Sequence, residues 1–420
     1  MTPADRILVV GAGWEQLPII ERALERGLEV IAVDGNDAAP GLALAHRSHI
    51  VSTRDRDGVL AVAKTERVGA ITFMITETPL HTIRHVATHL GLPCPSEASV
   101  VMSTDKATMR ERFAASGIAN PPFARCTTAA QATAAAHRIG FPLIVKPVDS
   151  GGQRGLTLCS SADALPSAVA TALKASPDAV VLLERFMLGH EVNVVAMVRT
   201  GQVAAMTVSD RVTADAPAFG VVRHHLYPSS AAHGHEAALR DLVQASVDAM
   251  DIDDGVVFPQ IMITADGPVL LETGARIPGG TMRELFEAAT GYDLVEYQLD
   301  VSLGRVRPLD AYRTSDPAPA VAVRFVTAEP GDLRAGRVEA IQGEAAARAI
   351  AGVHHIGLFA GTADRKHVHP LRTGGDRYYV IVTVGSDAAT ALDTTEHALR
   401  HLDFVGTDGV SLNVRTPGHP

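Results

Sequence analysis

The first hundred residues alternate short apolar runs with stretches of helical periodicity. Between positions 6 and 34 the apolar run ILVV leads through the turn GAG to a stretch with leucines and isoleucines at helical spacing, and then to EVIAVD. Apolar runs of this length predict buried strands, and the periodic stretch predicts a helix, so the segment is typical of a parallel β-α-β unit. A further strand near AITFMIT and a helix over 80–90 extend the pattern. We predict a Rossmann-like parallel-sheet domain over residues 1–102.

The middle of the chain changes to an α+β pattern. A helix carrying Lys106 is followed by strands at FPLIVKPVDS, LTLCS and AVVLLERF, and the runs VNVVAMV and QVAAMTVSD alternate as antiparallel strands do. VFPQIMIT and PVLLETGA are separated by Ala-Asp-Gly, which predicts a hairpin because Asp-Gly tolerates positive φ. Two helices, over 282–289 and 294–303, end a second domain that we assign to residues 103–305.

The last stretch predicts a small third domain. After a Pro- and Asp-rich beginning, VAVRFVTA and YYVIVTVGS predict strands, and 388–402 has the periodicity of a helix. We assign residues 306–420 to this C-terminal α/β domain. The fold class predicted for the chain is mixed, α/β with α+β.

Composition narrows the class of partner. Of 420 residues 46% are apolar, and 37 basic against 47 acidic side chains give a net charge of −10. This is a globular composition, and an acidic chain without a Lys/Arg block predicts no nucleic-acid or anionic-membrane surface, so any anion site must be local. Three cysteines without a Cys-x-x-Cys pair, no secretory leader and no membrane-length apolar run predict a cytoplasmic protein.

The turn GAG is a weak dinucleotide signal. Gly11, Gly13 and Asp34 match the fingerprint, but Gln16 stands where the third glycine belongs. A structural turn is therefore favoured, and an NAD(P)-dependent oxidoreductase remains an alternative.

A lysine and a glycine-rich turn form a better anion site. Lys146 ends a strand and is followed by a turn that would fold its backbone N–H groups over phosphate oxygens, formed by Ser150, Gly151, Gly152, Gln153 and Gly155. One cation and one such turn suit a polyphosphate. The alternative at this point is a hairpin with an incidental lysine.

Further motifs follow in a specific order. Thr104-Asp105-Lys106, Lys146-Pro147, the glycine-rich turn, Glu184 seven residues before Glu191, and Glu272 four residues before Arg276 resemble the motifs of the ATP-grasp superfamily. LLETGARIPGG, ATGYDLVEYQL and TGGDRYYVIVTVGS resemble its L-amino-acid ligase and carboxylate-amine ligase branch. The resemblance implies an ATP-grasp fold, ATP and Mg²⁺ as cofactors and, since members often dimerise, a homodimer.

The resemblance also implies roles for individual residues. Lys106 and Lys146 would contact the phosphates and Glu191 the ribose, with Arg185, Phe186 and Met187 along the adenine and Glu184 beside them. Glu272 would hold Mg²⁺, and Arg276 would steady the transferred phosphoryl group or a substrate carboxylate, so Lys146 and Arg276 are the expected catalytic residues. For the substrate the resemblance points to Arg223, His225, Gly279 and Gly280, and Glu77 of the first domain is a further candidate.

The sequence departs from the family pattern at two positions. Gln260 stands where a second acidic metal ligand is usual, and Gly274 where an asparagine is usual. Metal binding should therefore be weaker, or another acid must assist, for which Asp210 and Glu191 are the candidates. The implied reaction is ligation of an amino acid or similar carboxylate to an amine through an acyl phosphate, with release of ADP and phosphate. A catalytically silent nucleotide-binding protein is the alternative.

Overall fold

The computed structural model describes residues 5–149, 155–176, 179–215, 218, 220–362 and 364–414, which form two compact units. The first unit comprises Met1–Ala204, Ala232–Ile277 and Tyr297–Val306, and the second comprises Ala205–Ala231, Pro278–Glu296 and Arg307–Pro420. Numbered along the chain, the strands are β1 (Arg6–Val10), β2 (Glu29–Asp34), β3 (Arg47–Ile50), β4 (Ala70–Thr72), β5 (Phe123–Cys126), β6 (Leu143–Pro147), β7 (Thr157–Cys159), β8 (Val181–Arg185), β9 (His190–Arg199), β10 (Gln202–Thr213), β11 (Val222–Tyr227), β12 (Gly255–Thr264), β13 (Gly267–Gly274), β14 (Ala320–Val326), β15 (Gly336–Gln342), β16 (Val353–Leu358), β17 (His367–Val368), β18 (Tyr379–Gly385) and β19 (Asp403–Gly406). The helices are α1 (Leu17–Glu25), α2 (Pro40–Leu44), α3 (Arg56–Glu66), α4 (Leu80–Leu90), α5 (Glu97–Thr104), α6 (Lys106–Ala115), α7 (Ala129–Ile139), α8 (Leu165–Ala175), α9 (Glu236–Ala249), α10 (Met282–Thr290), α11 (Leu294–Leu303), α12 (Glu344–Arg348) and α13 (Ala388–Arg400).

The first unit begins with a parallel sheet of order β3-β2-β1-β4. The apolar residues of β1, β2 and β4 are buried almost completely, as expected for a parallel sheet covered on both faces. The predicted β-α-β unit and the helix over 80–90 are therefore confirmed.

A second sheet of the first unit is antiparallel, with the order β5-β8-β6-β7. Helices α7 and α8 bury their alanine-rich faces in the same core as these strands. Lys146 on β6 and Glu184 on β8 lie on the same face, because Ile144 pairs with Glu184 and Lys146 pairs with Leu182. This register brings two distant motifs together.

Three long antiparallel strands, in the order β13-β12-β9, complete the first unit's sheets. The predicted hairpin is present, since Thr264 pairs with Gly267 at its turn. The register shifts after Gln260, so that Leu271 is an extra residue in β13, a β-bulge just before Glu272.

The second unit contains the antiparallel strands β10-β11-β14-β18-β16 and a small sheet of order β17-β15-β19. Helix α13 packs on β14 and β18, which confirms the strand and helix predictions for this region. Strand β11, from the segment VRHHLY, is an element that the apolar pattern did not single out.

The domain bounds 1–102, 103–305 and 306–420 stay predictions. Within the described part of the chain, none of the helices combines the length and apolar character that crossing a membrane requires.

Candidate functional site

A buried ionic cluster in the first unit joins β6, β8 and α6. The Nζ of Lys146 lies 2.7 Å from one carboxylate oxygen of Glu184, and the Nε of Arg110 donates to the other at 2.6 Å. Arg110 is fully buried, and Lys146 and Glu184 are nearly so. Both oxygens of Glu184 are thus bound by cations.

The second lysine lies at the start of α6. Asp105 caps this helix by accepting from the backbone N–H groups of Ala107 and Thr108, and the Lys106 N–H donates to the Val148 carbonyl. The Nζ of Lys106 is 3.5 Å from Glu272. The structure therefore brings Lys106, Lys146, Glu184 and Glu272 into one charged cluster.

The charges of this cluster are strongly coupled. Burial raises the pKa of Glu184, but Arg110 and Lys146 outweigh burial and lower that pKa to about 2. Burial likewise opposes ionisation of Glu272, while Lys106, Lys146 and Arg110 lower its pKa. Burial lowers the pKa of Lys146, with Glu184 and Glu272 opposing this and Arg110 adding to it. With Lys146 protonated, three cations face two carboxylates, and this net positive charge favours an anionic ligand.

A row of oxygen-bearing side chains crosses the three long strands. Gln260 on β12 pairs with Glu272 on one side and with Asn193 on the other, so the three share one face of the sheet. Among the described residues no group of three or more His, Cys, Asp and Glu side chains is placed to hold a metal. A cation here would bind one carboxylate and amide oxygens, which are hard ligands of the kind that Mg²⁺ takes together with phosphate oxygens.

Arg276 is held by a residue from the N-terminal part of the first unit. Its Nε donates to Glu77 at 2.6 Å, and its guanidinium lies 5.8 Å from the Phe258 ring centroid. Its Nη1 is buried without a hydrogen bond to any described group. A Cβ at Gly274 would lie 3.0 Å from the Glu77 carboxylate. The unusual glycine therefore leaves room for the Glu77–Arg276 pair.

The predicted adenine segment follows β8. The N–H groups of Arg185 and Phe186 donate to the carbonyls of Pro122 and Pro142, so neither of these two is available to a nucleotide. Of the three predicted residues, Met187 is then the one whose N–H we expect to face the adenine. Glu191, at the start of β9, pairs with Met262 in the ladder and is half-buried.

The predicted phosphate turn lies mostly outside the described residues, which include none of Ser150, Gly151, Gly152 and Gln153. Gly155 is described. It has φ +75°, and a Cβ there would approach that of Ala175 to 2.6 Å, so the position requires glycine on both counts.

Of the predicted substrate residues, Arg276 and Glu77 lie in the first unit, whereas Arg223, His225, Gly279 and Gly280 belong to the second unit. The Nε of Arg223 is buried and makes no hydrogen bond with a described group. His225 is buried against Phe325, and burial lowers its pKa well below the usual range, so its imidazole is neutral. Gly279 and Gly280 precede α10, and Gly280 has φ +69°.

Asp210, considered above as an assisting metal ligand, has a structural role in the same unit. Its carboxylate accepts hydrogen bonds from the Ser229 and Ser230 hydroxyls and from the Ser230 N–H at 2.9 Å. Both oxygens are occupied, so Asp210 is not a metal ligand in this arrangement.

A second buried charge cluster lies on α10. Arg283 pairs with Glu284 at 2.5 Å and with Glu287 at 2.8 Å, and Asp293 adds a third nearby carboxyl. Burial, together with the other two acids, raises the pKa of Glu287 to about 7 in spite of Arg283. The other Glu287 oxygen has no hydrogen-bond partner among the described groups.

This cluster predicts a pH dependence of stability. Because the folded pKa of Glu287 exceeds its unfolded value, the native state binds more protons between about pH 4.5 and 7, and stability falls as pH rises through that window. We expect Glu287→Gln to raise the melting temperature by about 2–4 °C at pH 8 relative to wild type. At pH 5 the same substitution should give no gain. A gain that is equal at both pH values would contradict the assignment.

At the GAG turn, the Asp34 carboxylate is already hydrogen-bonded to nearby backbone groups. Asp34 accepts hydrogen bonds from the N–H groups of Ala12 and Asn36, both at 2.8 Å. A dinucleotide site needs this carboxylate for the ribose, and the Gln16 side chain lies over Gly13. The geometry therefore favours a structural turn over a dinucleotide site.

Comparison with protein families supports the motif order. Residues 105–310 match the family model described as carbamoyl-phosphate synthase L chain, ATP binding domain. Residues 324–406 match L-amino acid ligase C-terminal domain 2. The two matches together span more than half of the chain.

Individual relatives found by sequence comparison share less than a third of their residues with this chain over the matched lengths. An uncharacterized protein, y4rH, of Sinorhizobium fredii is 26% identical over 331 residues, which are 77% of this chain and 65% of that protein. A formate-dependent phosphoribosylglycinamide formyltransferase of Nitratidesulfovibrio vulgaris is 31% identical over 175 residues, 41% of this chain and 44% of the relative. The matches thus cover less than two thirds of these relatives' length.

Solved structures share the fold. The L-amino acid ligase from Bacillus licheniformis superposes with a TM-score of 0.77 at 17% identity, covering 96% of this chain and 98% of the ligase. The biotin carboxylase domain of the Hydrogenobacter thermophilus 2-oxoglutarate carboxylase, solved with MgADP, ADP and bicarbonate, has a TM-score of 0.75 at 17% identity over 96% and 91% of the two chains. The chain therefore has the ATP-grasp fold, whose enzymes use ATP with Mg²⁺, and within it residues 105–310 match an ATP-grasp ATP-binding domain and residues 324–406 match an L-amino acid ligase C-terminal domain.

Proposed function

We propose that the chain is an ADP-forming carboxylate-amine ligase that joins an amino acid, or a related carboxylate, to the amine of a second amino acid. The observation that carries the proposal is the cluster of Lys106, Lys146 and Glu272 in one unit, inside a segment matched by an ATP-binding domain. The L-amino acid ligase C-terminal domain supports the substrate class.

In this proposal the cationic cluster binds the triphosphate. Lys106 and Lys146 are compact ammonium charges that pair with phosphate oxygens, while Glu184 keeps the buried Lys146 in place. Met187 meets the adenine, Glu191 accepts the ribose hydroxyls, and the glycine-rich turn with Gly155 covers the phosphates. A bound Mg²⁺ would be held by Glu272 and the Gln260 amide oxygen and would neutralise charge on the phosphate oxygens.

The chemistry needs positioning and charge neutralisation more than covalent catalysis. A substrate carboxylate oxygen attacks the γ-phosphorus, the bond from that phosphorus to the β,γ-bridging oxygen breaks, and ADP leaves. The amine then attacks the carbonyl carbon of the acyl phosphate, inorganic phosphate leaves, and the amine gives up a proton. Arg276, oriented by Glu77, would stabilise the negative charge on the transferred phosphoryl group.

Four of the residues proposed to bind the substrate, Arg223, His225, Gly279 and Gly280, lie in the second unit. The buried Nε of Arg223 makes no hydrogen bond with any group that the structure describes, and a guanidinium suits a substrate carboxylate. His225 is neutral and would orient an amine or accept its proton rather than bind an anion. The backbone at Gly279 and Gly280 would admit the substrate.

A matrix of paired amino acids tests the proposal. The full chain is incubated with ATP, Mg²⁺ and each pair, and the release of ADP and phosphate is measured together with the mass of the product. We expect one ADP per amide formed, for a restricted set of pairs. ATP binding without amino-acid-dependent ADP release would support the silent nucleotide-binding protein instead, and absence of nucleotide binding would refute both.

Gln260→Glu tests the metal side of the proposal. A carboxylate opposite Glu272 adds a hard ligand, so the Mg²⁺ concentration for half-maximal ADP release should fall by about 10-fold. Without Mg²⁺ the two facing carboxylates repel, so the variant should melt at a lower temperature than wild type and recover when Mg²⁺ and nucleotide are added.

The exposed Gln202 provides the matched control, because Gln202→Glu adds the same charge away from the row. An unchanged Mg²⁺ requirement in Gln260→Glu would show that this residue does not face the metal.

A further inference from the structure

We infer that Arg110 is a positioning residue that sets the place of the metal-binding carboxylate by holding the β-bulge before Glu272, while its other edge orients Glu184. The inference rests on the proposed function of Glu272. The Nε and both terminal nitrogens of Arg110 donate to protein groups, so it would act through the groups that it binds.

The contacts of Arg110 join two parts of the site. Its Nε donates to Glu184 on β8, while its two terminal nitrogens donate to the carbonyls of Leu270 and Leu271 on β13. These residues are 74, 160 and 161 positions from Arg110 in sequence. The planar guanidinium carries its donors in a fixed fork, so binding one partner constrains the others.

The bulge decides which way Glu272 points. Side chains alternate along a regular strand, so Leu270 and Glu272 would share a face if Leu271 were paired normally. Because Leu271 is the extra residue, Leu270 lies opposite Ile261, both fully buried, and Glu272 lies opposite Gln260. The bulge thus moves Glu272 from the core face to the face that carries Gln260 and Asn193.

Arg110 binds the two carbonyls at this irregularity. Bulged peptides lose ladder hydrogen bonds, and buried carbonyls need a donor. Arg110 donates to the carbonyls of Leu270 and Leu271, and the N–H of Leu270, in the preceding peptide group, donates to the Ala119 carbonyl. A full positive charge beside Glu184 and Glu272 also favours their ionised forms.

Arg110→Lys is the test, because lysine keeps the charge and loses the fork. We expect the Mg²⁺ concentration that half-saturates binding of a non-hydrolysable ATP analogue, measured by titration calorimetry, to rise about 10- to 100-fold, as for the loss of other groups that orient a metal ligand. Amino-acid-dependent ADP release should show the same shift in Mg²⁺ requirement. Arg6→Lys is the matched control, since Arg6 also donates its Nε to a carboxylate, Glu29 at 2.8 Å, and a terminal nitrogen to a carbonyl, Glu66 at 3.1 Å, away from the cluster.

The possible results distinguish failure of the Arg110 inference from failure of the proposed function. A folded Arg110→Lys with the wild-type Mg²⁺ dependence overturns the inference, and so does an equal shift in Arg6→Lys. If Arg110→Lys does not fold, Arg110→Gln, which keeps neutral donors for the bulge, replaces it, and loss of fold in both shows a purely structural role and overturns the inference. A wild-type chain whose nucleotide binding is independent of Mg²⁺ refutes the proposed function itself.

Discussion

Lys146→Met should reduce kcat/KM for ATP-dependent ADP release by about 10³-fold. Removing one preorganised charge from a phosphoryl-transfer site costs two to three orders of magnitude, and Lys146 is buried within the cluster where water screens it least. Methionine keeps the apolar stem of the side chain, and Arg110 still neutralises Glu184, so the variant should fold. Steady-state kinetics, a thermal melt and the Kd of an ATP analogue make up the measurement.

The control for this substitution is Lys174→Met. Lys174 is an exposed lysine in the last turn of α8, within the same unit, and its loss should leave kcat/KM unchanged. Turnover of Lys146→Met near the wild-type rate, in protein that melts as a single folded species, would remove Lys146 from the phosphate site.

Elements of this chain were predictable wherever burial was uniform along a strand. The runs ILVV, EVIAVD and YYVIVTVGS lie in the core over almost their whole length, so their composition alone indicates strands. Strand β11 was not predicted, because Arg223, His224 and His225 interrupt the alternation of apolar and polar residues that indicates a strand. These polar positions are accommodated by tertiary contacts, such as the hydrogen bond of 3.1 Å between Arg324 and His224, which local patterning does not contain.

The candidate site likewise contains residues that the sequence predicted and one that it did not. Lys106, Lys146, Glu184 and Glu272 were predictable because their motifs follow one another at family spacing, and the structure brings them together. Arg110 was not singled out, although it lies one helical turn after Lys106 on the same face of α6, which was the available signal. Its partners depend on the packing of three separate segments, and no spacing rule encodes that packing.

The two departures from the family pattern have different physical meanings. Gly274 is explained by the room that the Glu77 carboxylate needs beside Arg276, a contact between residues 199 positions apart. Gln260 removes a negative charge from the row that it forms with Asn193 and Glu272. Within that row Glu272 is the single carboxylate, so the strength of metal binding should depend on this one residue.

Glu272→Gln should therefore separate nucleotide binding from turnover. We expect Mg²⁺-dependent ADP release to fall by about 10²–10³-fold, because the row loses its charged ligand and the amide that replaces it binds Mg²⁺ weakly. In the absence of Mg²⁺, ATP should bind about 2- to 5-fold more tightly than to wild type. The reason is that Lys106, 3.5 Å from Glu272, loses a competing anion, and a partly exposed ion pair of this kind is worth roughly 0.5–1 kcal/mol.

Opposite changes in the two quantities are the informative result, because general damage to the fold weakens binding and turnover together. Titrations of ATP with EDTA and with Mg²⁺ give the two affinities, and the coupled assay gives the rate. Glu21→Gln, on the exposed face of α1, controls for the loss of one carboxylate in the same unit and should change neither quantity. Weaker ATP binding to Glu272→Gln without Mg²⁺ would mean that Glu272 orients Lys106 toward the phosphates instead of competing with them, and the lysine would then depend on its carboxylate as Lys146 depends on Glu184.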